Sequence, residues 1–267
     1  MSQHFLLIDG SYFVFFRYYA ILNWFKLARK EVELKNPIEN VEFVEKFKKT
    51  FISKMKEIQI KLNIDNPRIL VGKDCPRKTI WRMKYLPTYK GNRVYDDLFL
   101  GGPFFEMAYK DNLFIQGGCS KILSYPTLEA DDCIAILSKK ILKIIPTANI
   151  TIITSDMDYL QLACDNIKLY DLKFNKLTEK KSSYNNAEKD LFIKILTGDK
   201  SDNIKGVFKK CGPKTACKYF DNKELFEEKL NSIEGVMERY LLNKKLIDFN
   251  EIPKDLVIKF IDKYNID

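Results

Sequence analysis

Histidine is all but missing from this chain of 267 residues, His4 being the single one. A Ser-His-Asp arrangement or a histidine general base is therefore not expected, since His4 stands close to a terminus that frays. Cysteine is present but unorganised. The six residues Cys75, Cys119, Cys133, Cys164, Cys211 and Cys217 contain no C-x-x-C pair, which argues against a zinc site and against a disulfide framework, and favours reduced thiols in an intracellular protein. Long apolar runs are absent too. The one between Met1 and Asp9 is too brief and wrongly flanked for a signal peptide, and no other approaches bilayer length. The expectation is a soluble protein of cytoplasm, nucleus or nucleoid with no membrane partner. Any chemistry has to run on carboxylates, lysine or metal.

What is abundant is charge. Lysine and arginine number 45 against 36 aspartates and glutamates, a formal excess of +9 that favours polyanionic partners without proving one. The length allows one large domain, or one with a small appendage, and a core that needs no staples.

Three apolar, β-branched-rich runs end in acid: HFLLIDG reaches Asp9, RILVGKD reaches Asp74, and ITIITSDMD reaches Asp156 and Asp158. Each reads as a buried strand. Helical patterns lie between them, over 43–62 with Phe43, Phe47, Phe51, Met55 and Ile58 on one face, and over 130–145 after Thr127 as cap. Alternating strands and helices predict an α/β fold, a parallel sheet with helices on both faces, whose ligands bind outside the carboxyl ends of the strands. The acidic groups stand at those ends. Residues 91–112 read as two short amphipathic pieces around Gly101, Gly102 and Pro103, a mobile lid or arch. From Asn186 onward strand patterns cease and a helical carboxy-terminal portion is expected.

LEADDCIA adds Glu129, Asp131 and Asp132 at a helix start, and GDKSDN adds Asp199 and Asp202. Residues two apart do not face one way in mid-helix, so Glu129 can share a site with Asp131 only from a position before regular helix begins. So many carboxylates cannot converge unpaired, because like charges at close range take up protons or cations. All-oxygen ligands without His or Cys point to Mg²⁺ or Mn²⁺, and the number of carboxylates suits two ions clamping a phosphodiester. Two basic elements complement them. YLPTYKGNR carries Lys90 and Arg93, suited to polarising a phosphate oxygen. NIKGVFKKCGPKTA carries Gly206 and Gly212 to let the backbone approach a ligand, Lys209, Lys210 and Lys214 for charge, and a helix start at Pro213.

Taken in order, LLIDGS, LPTYKGNR, EADD, TSDMDYLQL, GDKSDNIKGV and GPKTA resemble the 5′-nuclease or flap endonuclease family, in particular the phage and bacterial 5′-3′ exonuclease branch that includes the nuclease domain of DNA polymerase I. The resemblance spans about four fifths of the chain. It implies a PIN-like nuclease domain over 1–185 with a short arch at about 91–112, and a helical region over 186–267 with a helix-three-turn-helix at about 190–220. It further implies two Mg²⁺ ions, replaceable by Mn²⁺, one served by Asp9, Asp74, Glu129 and Asp131, the other by Asp131, Asp156, Asp158 and Asp199, with Asp132 and Asp202 as outer members. Lys90, with Arg93 beside it, takes the scissile phosphate, and the turn with Gly206, Lys209, Lys210, Gly212, Lys214 and Thr215 holds duplex phosphates, in many relatives with K⁺. VGKDCPRK places Lys73 where the family usually has its strand-end acid and Asp74 one place later, and VFKKCGPK is longer and poorer in glycine than its counterparts. The implied activity is structure-selective hydrolysis of DNA near single-strand to duplex junctions, by a monomer without a clamp-binding motif. The alternatives are an RNase H-like, primer-removing nuclease acting on RNA–DNA hybrid, and a branched-DNA-binding protein that does not cut.

Overall fold

The computed structural model describes residues 3–93 and 99–265. Five strands form one parallel sheet: β1 (His4–Asp9), β2 (Arg68–Gly72), β3 (Lys121–Leu123), β4 (Asn149–Ile153) and β5 (Ile167–Tyr170), in the spatial order β3-β2-β1-β4-β5. The three runs expected from sequence are the central strands. The two edge strands were not expected, and each carries too weak a pattern to announce itself: β3 is three residues long, and in β5 Lys168 is exposed between buried Ile167 and Leu169.

Successive strand residues point to opposite faces, and β1 uses both. Phe5 and Leu7 pack with Leu70, Ile150 and Ile152 against α5 (Ala130–Ile144), while Leu6 and Ile8 pack with Ile69 and Val71 against α1 (Gly10–Ala28) and α2 (Val41–Lys61). The second layer is built on phenylalanine: Phe13 meets Phe51 edge-on at 4.8 Å, and Phe47 meets Phe104 at 4.8 Å. Each such ring stabilises by about 1.5–3 kcal/mol on burial alone. Phe104 lies on α3 (Gly102–Lys110), which begins at the expected breaker with Pro103 in its first turn, where a missing N–H costs nothing. A short α4 (Leu113–Gln116) leads into β3. Residues 94–98 of the expected arch lie outside the described residues.

After β5 the chain runs into α6 (Ala187–Thr197), α7 (Pro213–Asp221), α8 (Lys223–Asn231), α9 (Val236–Ile247) and α10 (Lys254–Tyr264). The first four enclose a small core of their own around Leu196, Phe208, Ala216, Phe226 and Leu230. Phe249, Ile252 and Phe260 then return to the core under the sheet, so the last helix closes on the α5 layer. The strand order reverses between β1 and β4. In a doubly wound sheet the crevice outside the carboxyl ends at that reversal is the ligand-binding place.

Candidate active site

Asp9 ends β1 and also caps α1, accepting from the Tyr12 N–H at 3.0 Å. The change from strand to helix at that point requires Gly10, because a Cβ there would lie 2.6 Å from the Gly72 carbonyl and 2.5 Å from the Tyr109 hydroxyl. Beyond β2 the chain turns so that Asp74 reaches the same cleft, accepting from the Ser11 hydroxyl and, at 2.8 Å, from the Ala130 N–H. The Lys73 ammonium lies 4.3 Å from the centre of the Tyr109 ring. Asp9, Asp74, Glu129, Asp131 and Asp156 line one open cavity of about 380 Å³, together with Lys90 and Arg93.

Glu129 is the residue before α5, with extended backbone (φ −78°, ψ 169°), which is what lets it face Asp131. It replaces Thr127 as the cap expected from sequence; the Thr127 hydroxyl is buried without a partner. Asp132 stands behind Glu129 and Asp131, where an outer member would stand. Its side chain is wholly buried, and both oxygens are taken: Arg82 grips it in bidentate fashion at 2.8 Å and 2.8 Å, the Trp81 indole donates at 2.9 Å, and the Glu129 N–H at 3.1 Å. Three of these donors fall on Oδ2 and one on Oδ1, so Asp132, beside Glu129 and Asp131, braces the start of α5. Arg82 also donates to Glu129 at 3.1 Å and to the Leu246 carbonyl at 2.7 Å, so it ties α9 to the cavity floor. Nothing local in the sequence marks Arg82, whose partners lie far along the chain.

The loop with Lys90 and the segment with Asp199 and Asp202 interlock. Lys90 takes left-handed backbone (φ 55°) and donates its N–H to the Asp202 carbonyl at 2.9 Å, while its ammonium bonds Glu129. Arg93 bonds Asp202 at 2.5 Å and the Ser201 carbonyl at 3.2 Å; the Tyr89 hydroxyl stands 2.9 Å from the other Asp202 oxygen. Asp202 is thus held by Arg93 and Tyr89. Asp158, Asp199 and Asp202 form a second acidic group, with one oxygen of each within 4.8 Å of the others. Gly198 makes this possible: at φ 71° it turns the chain out of α6, and a Cβ there would meet the Ile204 carbonyl at 2.4 Å.

The carboxylates pay attention to one another electrostatically. Burial, with Asp74 and Asp156 nearby, pushes Asp9 up to about 7. Burial, then Asp132 and Glu129, holds Asp131 well above the usual carboxylate range. Burial, with Asp156 alongside, also puts Asp158 at about 7, despite the ammonium of Lys194 beside it. Burial alone would raise Asp199 as well, but hydrogen bonds from Lys194 and Ser201 outweigh it and hold it at about 2.

In the turn between α6 and α7, Val207 and Phe208 are buried as anchors, and Lys209, Lys210, Gly212, Lys214 and Thr215 are exposed. The left-handed position in this turn falls on a lysine. Gly212 has φ −88° and Gly206 is not in the left-handed region; Lys210 is, at φ 59°. Sequence reading also passed over an aromatic wall. Phe15 and Tyr19, 41% and 46% exposed, line with Phe99 a cavity of about 470 Å³ that shares Asp74, Lys90, Arg93 and Glu129 with the acidic one. Their spacing of four residues on α1 is a signal, lost there among the many apolar residues of that helix.

An acidic cavity at the switch point of a parallel sheet, with lysine and arginine on its rim, is the arrangement of a phosphoryl-transfer enzyme. Residues 4–192 match the family model described as 5′-3′ exonuclease, N-terminal resolvase-like domain. The chain is 30% identical over 250 residues to a 5′-3′ exonuclease of Buchnera aphidicola subsp. Acyrthosiphon pisum, covering 91% of this chain and 78% of that one. It is 26% identical over 259 residues to a ribonuclease H of Enterobacteria phage T4, covering 88% and 84%. Among solved structures, the T5 D15 protein co-crystallised with metal ions superposes with a TM-score of 0.66 at 18% identity, over 99% of both chains. The T5 D15 flap endonuclease in a complex with DNA and metal ions gives 0.67 at 17%, again over 99% of both. The chain belongs to the 5′-3′ exonuclease family, with the PIN-like fold of that family. It is a metal-dependent phosphodiesterase, a nuclease rather than a non-cleaving binder of branched DNA. Among the described residues no helix is long and apolar enough to cross a membrane.

Proposed function

We propose that the protein is a Mg²⁺-dependent, structure-selective 5′-nuclease that hydrolyses DNA phosphodiesters near single-strand to duplex junctions with the help of two ions. The observation that carries this reading is the convergence of Asp9, Asp74, Glu129, Asp131 and Asp156 from separate segments on one cavity beside Lys90. The donor set fits hard divalent cations: it is all oxygen, and burial, with repulsion from neighbouring carboxylates added, raises Asp9 and Asp158 to about 7. Asp9, Asp74, Glu129 and Asp131 would hold one ion, and Asp131, Asp156, Asp158 and Asp199 the other. Bound there, such ions supply a nucleophile at neutral pH and neutralise the charge that develops on the phosphate.

The chain's own residues do the rest. Lys90 and Arg93, on the rim, reach a non-bridging phosphate oxygen. Phe15 and Tyr19 offer stacking faces to bases of a strand entering over the cavity, and such stacking tolerates any base. Lys209, Lys210 and Lys214, with the backbone at Gly206, Gly212 and Thr215, hold duplex phosphates without reading sequence. Lys209 and Lys210 already place positive charge at that turn, beside which K⁺ would add a further cation. The likeness to a ribonuclease H of phage T4 favours a second reading on the same site, removal of RNA from RNA–DNA hybrid.

The test is incubation of 5′-labelled flap, nicked and RNA-primed duplexes with Mg²⁺, with and without EDTA. The proposal expects flap cleavage near the junction, abolished by EDTA; faster release from the RNA-primed duplex supports the second reading. Cleavage of plain single strands at the flap rate overturns both.

A pH dependence follows from the raised carboxyls. An ion needs them deprotonated, so its binding displaces protons below about pH 7, and affinity should climb from about pH 6 to 8, up to about tenfold per unit for each proton released, then level off. Mn²⁺ calorimetry in buffers of different ionisation heat measures the protons directly. Affinity flat across that range contradicts the assignment.

A further inference from the structure

Lys194 stands where a cation is needed and is itself one. It lies in the last turn of α6, and Gly198 bends the chain back so that Asp199 faces the same ammonium. The Lys194 Nζ is 2.7 Å from Asp158 Oδ1 and bonds Asp199 Oδ2. The other Asp199 oxygen is saturated: Oδ1 accepts from the Ser201 N–H at 2.6 Å, the Ser201 hydroxyl at 2.7 Å and the Asp202 N–H at 3.2 Å. Asp202 offers no relief, with one oxygen on Arg93 and the other on Tyr89. An ion that uses Asp199 must therefore take the oxygen that Lys194 already holds.

We propose that Lys194 is an internal counter-cation that occupies the Asp158–Asp199 side of the site without metal and competes with the divalent ion there. This rests on the two-ion reading above. The side chain is suited to leaving, because it keeps 27% of its surface in contact with solvent and is not walled into a core. On the other side Asp9 and Asp74 are hydrogen-bonded by N–H and hydroxyl groups, with no lysine or arginine on either carboxylate among the described residues, and of that ligand set Glu129 is the one held by cations, Lys90 and Arg82, whereas Lys194 spans two ligands at once. The two ions should consequently bind unequally, the one nearer Asp158 and Asp199 more weakly. Because coupling between two ligands is reciprocal, an ammonium that weakens the ion is itself expelled by it. Lys194 is thus a positioning residue for the metal-free state, and its removal should help an ion to bind.

The experiment is Mn²⁺ binding, followed by calorimetry and by the paramagnetic resonance of free Mn²⁺, on the parent protein and on Lys194→Met, Lys194→Arg and Asp199→Asn. Lys194→Met should tighten the weaker ion by roughly 5- to 150-fold, the usual span of such couplings, with the tighter ion little changed. Lys194→Arg keeps the charge and should stay near the parent. Melting in EDTA and in saturating Mn²⁺ supplies a readout independent of those constants: Lys194→Met should melt below the parent in EDTA and recover in Mn²⁺. A weaker ion that is unchanged or loosened in Lys194→Met, or an equal loss of melting temperature in both media, overturns the inference. A parent that takes up one Mn²⁺, with Asp199→Asn indistinguishable from it, overturns the two-ion reading and this inference with it.

Discussion

Asp131→Asn should lower the single-turnover cleavage rate by roughly 10³-fold or more while leaving DNA binding in Ca²⁺ within about tenfold, because the carboxylate expected between the two ions is remote from the turn that holds duplex phosphates. The fold should not suffer. Asp131 Oδ1 accepts from the Asp132 N–H at 2.7 Å, a bond that the amide oxygen of asparagine can keep. Its carboxyl is held well above the usual range by burial and by Asp132 and Glu129, so a permanently neutral side chain removes the cost of charging it in that place. Melting of the metal-free variant should stay level or rise, the trade of stability against function common at active sites. If Asp131 only capped a helix, the variant would cut normally and lose at most about 1 kcal/mol of stability. Rapid-quench kinetics beside a thermal melt separates the two.

Lys90→Ala should cost a factor on the order of 10²–10³ in the same rate, the usual loss when one preorganised charge facing the reacting group is removed. Burial alone would lower the Lys90 ammonium, but Glu129, Asp202 and Asp131 outweigh it and hold it above its ordinary value, so the residue is a fixed cation throughout the working pH range. Its left-handed backbone is no better suited to lysine than to alanine, so the substitution leaves the loop where it is and tests the charge. Lys90→Arg, which keeps charge on the rim, should recover part of the rate. A rate within about twofold of the parent would assign the work to Arg93 or to no side chain at all.

The strands, the amphipathic face of α2 and the acidic strand ends were legible because each depends on residues a few positions apart. Phe43, Phe47, Phe51, Met55 and Ile58 are all buried, as their spacing implies, and β1, β2 and β4 are where the apolar runs are. The same locality explains the failures. Thr127 and Glu129 are both plausible caps until the backbone is seen, and β3 and β5 are edge strands whose pairing, not their composition, makes them strands.

The sequence by itself determined the class of sheet, the family and the supply of carboxylates and lysines, since periodicity and ordered motifs are written along the chain. Only the tertiary structure decided what each charge does. Within EADD nothing local shows what holds Asp132: it is gripped by Arg82, a partner on another segment, while Asp131 is left facing the cavity. Lys194 reads as one lysine among many on a helix, and becomes a counter-ion because Gly198 bends Asp199 back to it and Asp158 arrives from the end of β4. A charge acts through its nearest neighbours within a few ångströms, and in a parallel sheet those neighbours come from segments that the chain order keeps far apart.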